Sequence, residues 1–157
     1  TAATAGDEGD AEAGQRPPHR ARALLPRAPR ERDGELHEGA NWEAAMFASQ
    51  HRLDNLNLIV DNNRISMLGH TDDIVSHGRL ADRLGAFGWS CTEVNGHDAD
   101  AVRAMLATMK NQRNGAPKAL IAHTLKGRGV PGLEDAPLCH IMNPKAETLD
   151  RLLGEAP

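Results

Sequence analysis

Apolar positions along the chain fall into segments of different period. Residues 39–52 read as a helix, with Trp42, Ala45, Met46 and Phe47 forming a broad apolar face. The run LNLIV, 56–60, is short and continuously apolar, as in a strand buried on both faces. Residues 77–87 return to helical spacing through Leu80, Leu84 and Phe87. WSCTEV, 89–94, reads as a second strand. Asp98 is placed to cap a helix carrying Val102, Met105, Leu106 and Met109. KALIAH, 118–123, is a third strand, and GRGVPG, 127–132, a glycine-rich loop. A last short helix is expected near 145–154, with Leu149, Leu152 and Leu153. Strands alternating with helices predict an α/β fold: a parallel sheet with flanking helices and right-handed crossovers.

Residues 1–32 break this pattern. The stretch opens small and acidic, then becomes rich in Arg and Pro. Pro17, Pro18, Pro26 and Pro29 forbid a continuous helix, and only Leu24 and Leu25 are bulky and apolar. Such a segment cannot offset its ordering entropy, so 1–32 is expected to be disordered and 33–157 to form the domain. The 157 residues suffice for one core. A net charge of −4 supplies no basic footprint for nucleic acid. Aromatics at 3% supply no base-stacking surface. Cys91 and Cys139 have neither metal-ligand spacing nor a disulfide framework, so free thiols in a reducing cytoplasm are expected. No apolar run approaches the roughly 18 residues of a membrane span, and no secretion signal opens the chain.

The chemistry concentrates where strands should end. In a parallel sheet, ligands bind at the carboxyl ends of the strands. Asp61, Asn62 and Asn63 follow one strand, and Asp33 and Gly34 form a turn into the first helix. A carboxylate and an amide oxygen are hard donors suited to Mg²⁺ or Ca²⁺. A nearby carbonyl leaves octahedral positions for phosphate oxygens and water, and a helix start adds N–H donors for phosphate. An Asp-Gly turn and an Asx turn are also common loop chemistry, and the local residues alone favour that plainer reading.

The wider wording does. Between Gly34 and Asn62 lie 27 residues. With DGELHEGANWEAAMFASQHRLDNLNLIVDNNRI, LADRLGAFGWSCTEVNGHD and PKALIAHTLKGRGV, the chain resembles the transketolase family, especially its separately encoded amino-terminal subunits. The resemblance runs over 33–153. It implies the diphosphate-binding domain of the thiamine-diphosphate-binding fold, and thiamine diphosphate with Mg²⁺ (or Ca²⁺) as cofactors. By resemblance, Asp33 and Asn63 are side-chain ligands of the metal, and Ile65 gives its carbonyl. Gly34 lets backbone approach the diphosphate. Glu38 is an acidic residue at a subunit interface beside the cofactor. Lys126 and the loop 127–132 cover the diphosphate, and His140 in LCHIMNP reaches the diphosphate and the substrate. Without the resemblance, Glu38 is a favourable acid at a helix start and Lys126 a solvated loop charge. His51, His70, His77 and His97 are expected at the surface or in turns, and His123 at a strand end with no direct role.

Two departures stand out. The family's first motif glycine is Arg32, which costs about 1 kcal/mol or more if the position needs positive φ. LLPRAPRER occupies the place of the hydrophobic strand before the motif, so that strand and its helices are expected to be absent and the domain incomplete. A reading-frame slip in a GC-rich gene just before Asp33 accounts for this; upstream DNA read in another frame then encodes the missing segment. The family also requires a pyrimidine-binding domain with an activating glutamate, supplied in split members by a separate chain. The implied function is the diphosphate-binding half of a transferase moving a two-carbon ketol unit between sugar phosphates, inactive alone, in a dimer of heterodimers. Alternatives are a non-catalytic remnant or partner-binding fragment, a deoxyxylulose-phosphate synthase, or a pyruvate-dehydrogenase-type α chain.

Overall fold

A computed structural model describes residues 30–137, 139, 141 and 145–154. Four strands form one parallel sheet in the order β1-β2-β4-β3. They are β1 (Arg30–Arg32), β2 (Asn57–Asn62), β3 (Ser90–Asn95) and β4 (Lys118–His123). Helix α1 (Gly39–Gln50) follows β1 after a 3₁₀ turn, Asp33–His37. Then α2 (Thr71–Val75) and α3 (Leu80–Ala86) precede β3, α4 (Ala99–Asn111) joins β3 to β4, and α5 (Ala146–Gly154) comes last. No described helix is long and apolar enough to cross a membrane.

The sheet is organised around β4. Residues 118–122 are all buried, as expected of a central parallel strand covered on both faces. Ala119 and Ile121 join Leu58 and Val60 of β2 in a core completed by Leu36, Ala45, Ala48, Leu80, Leu84 and Trp89. This layer binds α1 and α3 to one face. The indole of Trp89 donates to the Ala45 carbonyl at 2.9 Å, tying the start of β3 to α1. Lys118 is also buried, and its ammonium donates to the carbonyls of Asp54 and Gln112.

Two expectations require correction. Residues 30–32, placed in the disordered segment and described as lacking a strand, form β1, pairing with Ile59–Asp61. Strand pairing uses backbone N–H and C=O groups, so Arg-Glu-Arg can occupy an edge without apolar side chains. Arg32 is therefore extended and is not among the residues with positive φ, so the anticipated strain does not arise. The helix expected over 77–87 covers only Leu80–Ala86, and a separate short helix, α2, precedes it. Gly78, at φ +57, is in the left-handed region and separates them. Residues 1–29 and His140 lie outside the described residues.

Candidate cation–diphosphate site

The register Arg32↔Asp61 places Asp33 just past the carboxyl end of β1, level with Asn62. Asp33 is only 1% exposed. Its Oδ1 accepts the Gly34 N–H at 2.9 Å; its Oδ2 accepts the Arg64 N–H at 2.6 Å and faces the Thr71 hydroxyl at 3.4 Å. Asn63, 5% exposed, accepts the Ile65 N–H through Oδ1 at 3.0 Å. The carboxylate of Asp33 and the amide oxygen of Asn63 thus each hold one of two successive peptide N–H groups of a single loop. Ile65 lies on that loop and is 1% exposed. The amide nitrogen of Asn63 donates to Asp61 Oδ2 at 3.2 Å, and Asp61 Oδ1 accepts the Thr124 hydroxyl at 2.5 Å. This chain of bonds orients Asn63 with its oxygen, rather than its nitrogen, toward the loop.

The loop is tightly wound. Arg64 has φ +61, unfavourable for a residue with a Cβ. Its N–H bond to Asp33 and its guanidinium bond to Asp72 at 2.5 Å hold it there. A Cβ on Gly34 would lie 2.9 Å from Ser66 Cβ, so the two segments approach at backbone contact.

Electrostatically, Asp33 is a buried carboxylate that belongs to none of the ion pairs among the described residues. Burial raises its pKa; the Arg64 and Gly34 N–H groups oppose that, and the nearby Asp61 charge adds to it. A carboxylate desolvated in this way, bonded to the same loop as the Asn63 amide oxygen, suits a hard divalent cation, whose charge would offset the burial. Among the described residues no three His, Cys, Asp or Glu side chains converge on a metal position. A donor set of one carboxylate, one amide and one carbonyl falls outside that pattern.

Two cavities flank Asp33. One, of about 410 Å³, is lined by Gly34, Glu38, Ile65, Met67, Leu68 and Ile74 among others. Glu38 is exposed on its wall; it occupies the N-cap position of α1 without capping it through its side chain. The other, of about 180 Å³, is polar, with Asp33, Asn62, Arg79, Glu93 and His123 in its wall. Across it, Asn62 Nδ2 meets His123 Nδ1 at 3.1 Å, His123 Nε2 meets Glu93 at 2.7 Å, and Arg79 donates to Glu93 at 2.9 Å. His123 and Arg79 hold the Glu93 carboxyl below its usual range. Lys126 lines neither cavity. Its loop closes on itself, the Asp135 N–H donating to the Lys126 carbonyl at 2.9 Å. Gly127, at φ +77, could not carry a Cβ, which would sit 2.2 Å from the Leu133 carbonyl oxygen.

The chain matches the family described as "Transketolase, thiamine diphosphate binding domain" over residues 31–152. It belongs to the transketolase family. It is 40% identical over 124 residues to an apulose-4-phosphate transketolase subunit from Actinobacillus succinogenes, covering 78% of this chain and 44% of that one. With human transketolase it shares 42% over 113 residues, covering 69% of this chain and 17% of that enzyme. The transketolase structure from Campylobacter jejuni superposes with a TM-score of 0.62 at 33% identity, over 69% of this chain and 18% of that one. The chain therefore spans less than half the length of these relatives. The match starts inside β1, in keeping with the strand the structure places there.

Sequence reasoning missed His77. It is 6% exposed, not at the surface, and its Nε2 lies 3.1 Å from the Asp33 carbonyl. Nothing in the polar stretch TDDIVSHG marks it; only the following glycine hints at a turn that could bring it inward.

Proposed function

We propose that this transketolase-family chain is the diphosphate- and Mg²⁺-binding part of an enzyme that transfers a two-carbon ketol unit between sugar phosphates. The observation that carries it is the buried Asp33 carboxylate sharing one loop with the Asn63 oxygen at the carboxyl ends of β1 and β2. Asp33, Asn63 and the Ile65 carbonyl hold the cation, which ties the diphosphate to the sheet. Gly34 admits the cofactor's backbone-facing side, and Glu38 lies where a second chain would meet the site. Lys126 and His140 are assigned to the diphosphate and substrate end. When bound, thiamine diphosphate supplies the nucleophilic carbon that accepts the ketol unit. This chain's own part is to bind, orient and exclude water, and a pyrimidine-binding subunit completes the site in a dimer of heterodimers. Two relatives are each named as one subunit of an apulose-4-phosphate transketolase, which supports a partner chain. Two free thiols fit a cytoplasmic setting.

Calorimetric titration of the full chain with thiamine diphosphate tests this reading. Binding is expected only with Mg²⁺, to tighten with the pyrimidine-binding subunit, and to weaken at least about tenfold in Asp33→Ala, one lost charge-assisted ligand. A chain that binds the subunit but never the cofactor is instead a non-catalytic remnant. Ketol transfer by the isolated chain would overturn the need for a second chain.

A further inference from the structure

We infer that His77 is a positioning residue for the cation site: it holds Asp33 by its main chain so that the carboxylate stays aimed at the metal position. The inference rests on the reading of Asp33 as a cation ligand and adds a residue from a distant segment to it. His77 Nε2 lies 3.1 Å from the Asp33 carbonyl. A carbonyl only accepts, so the proton is on Nε2.

Two other rings pack against the His77 ring. It lies 4.6 Å from the His37 ring and 5.9 Å from that of Trp42. Those two neighbours fasten the same 3₁₀ turn. Trp42 Nε1 donates to the Leu36 carbonyl at 2.7 Å, and His37 Nε2 meets the Val75 carbonyl at 3.0 Å. Three ring nitrogens thus bind the turn Asp33–His37 to α1 and to the end of α2. Thr71, at the start of α2, touches the Asp33 carboxylate itself. The segment 71–77 therefore grips Asp33 at both ends, by its carboxylate and by its carbonyl. A carboxylate needs both its χ angles and its Cα fixed to meet a cation that demands near-octahedral geometry. The Arg64 and Gly34 N–H groups fix the former; His77 fixes the latter.

The test uses the full chain as wild type, His77→Gln and His77→Phe. Gln can donate to the same carbonyl; Phe keeps the ring volume without a donor. The first readout needs no metal: the amide proton shift of Arg64, whose N–H bonds Asp33. It is expected to move upfield in His77→Phe and to stay near wild type in His77→Gln. The second is Mn²⁺ affinity with thiamine diphosphate, from the paramagnetic resonance of free Mn²⁺. It should weaken about tenfold or more in His77→Phe and stay within about threefold in His77→Gln. An unmoved Arg64 amide with unchanged Mn²⁺ affinity in His77→Phe overturns the inference, as does equal loss in both variants. If wild type binds no Mn²⁺ with thiamine diphosphate, the proposed function fails, while the metal-free amide shift still decides whether His77 positions Asp33. Should His77→Phe fail to fold, the imidazole ¹⁵N signals of the wild-type chain decide: a protonated Nε2 whose signal shifts on adding Mg²⁺ and thiamine diphosphate supports the role, and an unmoved signal overturns it.

Discussion

Gly34 shows how much one hydrogen can matter. Its φ is ordinary, yet a Cβ there would meet Ser66 Cβ at 2.9 Å, inside any real contact. Gly34→Ala should destabilise by about 1–3 kcal/mol, read from urea unfolding, because both partners are held by backbone bonds. Ser66→Gly in the same chain should recover most of that loss; no recovery would mean that the crowding lies elsewhere. Cys91 makes a different residue-level prediction. Burial, with the Glu93 charge beside it, pushes its thiol up to about 11 from an ordinary value near 9.0. A raised folded pKa means its stabilising share is whole below pH 9 and is lost as pH climbs through 11. Subtracting the stability profile of Cys91→Ala from that of wild type should therefore leave a fall across this window. The chain has no Tyr to titrate there. A flat difference profile would contradict the burial. Sequence alone placed Asn63 at a strand end, because it follows an apolar run, and put Asp33 and Gly34 in the turn into the first helix without the strand that precedes them. It could not place His77, because the contact spans 44 residues and depends on a left-handed Gly78.

At the scale of elements, capping and periodicity were legible where local chemistry decides. Asp98 caps α4 as its sequence suggests, accepting the N–H groups of Asp100 and Ala101. Asp98→Ala should cost about 0.5–2 kcal/mol in chemical unfolding, with the helical circular dichroism otherwise retained. A cost near zero would mean that solvent satisfies those donors equally well. Strand β4 was read at its observed limits because it is apolar and flanked by turns. Strand β2 was read as ending at Val60, but pairing continues through Asp61 and Asn62 to Ala122 and His123. Polar residues stop a hydrophobic pattern without stopping a ladder. Strand β1 failed for the same reason in stronger form. Its three residues carry no strand signal, and only the exposed edge of β2 makes them a strand.

For the whole molecule, the three longer strands and the longer helices were legible from alternation of period, while the surface at which a second chain would complete the site was not, because such a surface is defined by what it meets. The cavity beside Gly34 and Glu38 is walled by Met67, Leu68 and Ile74. Leu68 is 80% exposed, and Val75, at the end of α2, is exposed as well. Large apolar side chains gathered at the mouth of a cavity are costly in water and useful in an interface. Under the proposed partnership they are the seat of the pyrimidine-binding subunit, whose arrival would close the cavity over the cofactor. Leu68→Asp separates this from a merely greasy surface. An exposed side chain contributes little to the isolated fold, so its thermal unfolding should match wild type within about 0.5 kcal/mol. Burying the new carboxylate against a partner is unfavourable, so association measured by analytical ultracentrifugation should weaken about tenfold or more. Asp33→Ala should leave that association intact while losing the cation, since Asp33 is buried behind the cavity rather than on its rim. Unchanged association in Leu68→Asp would move the partner's seat to another face and leave Glu38 without a neighbour.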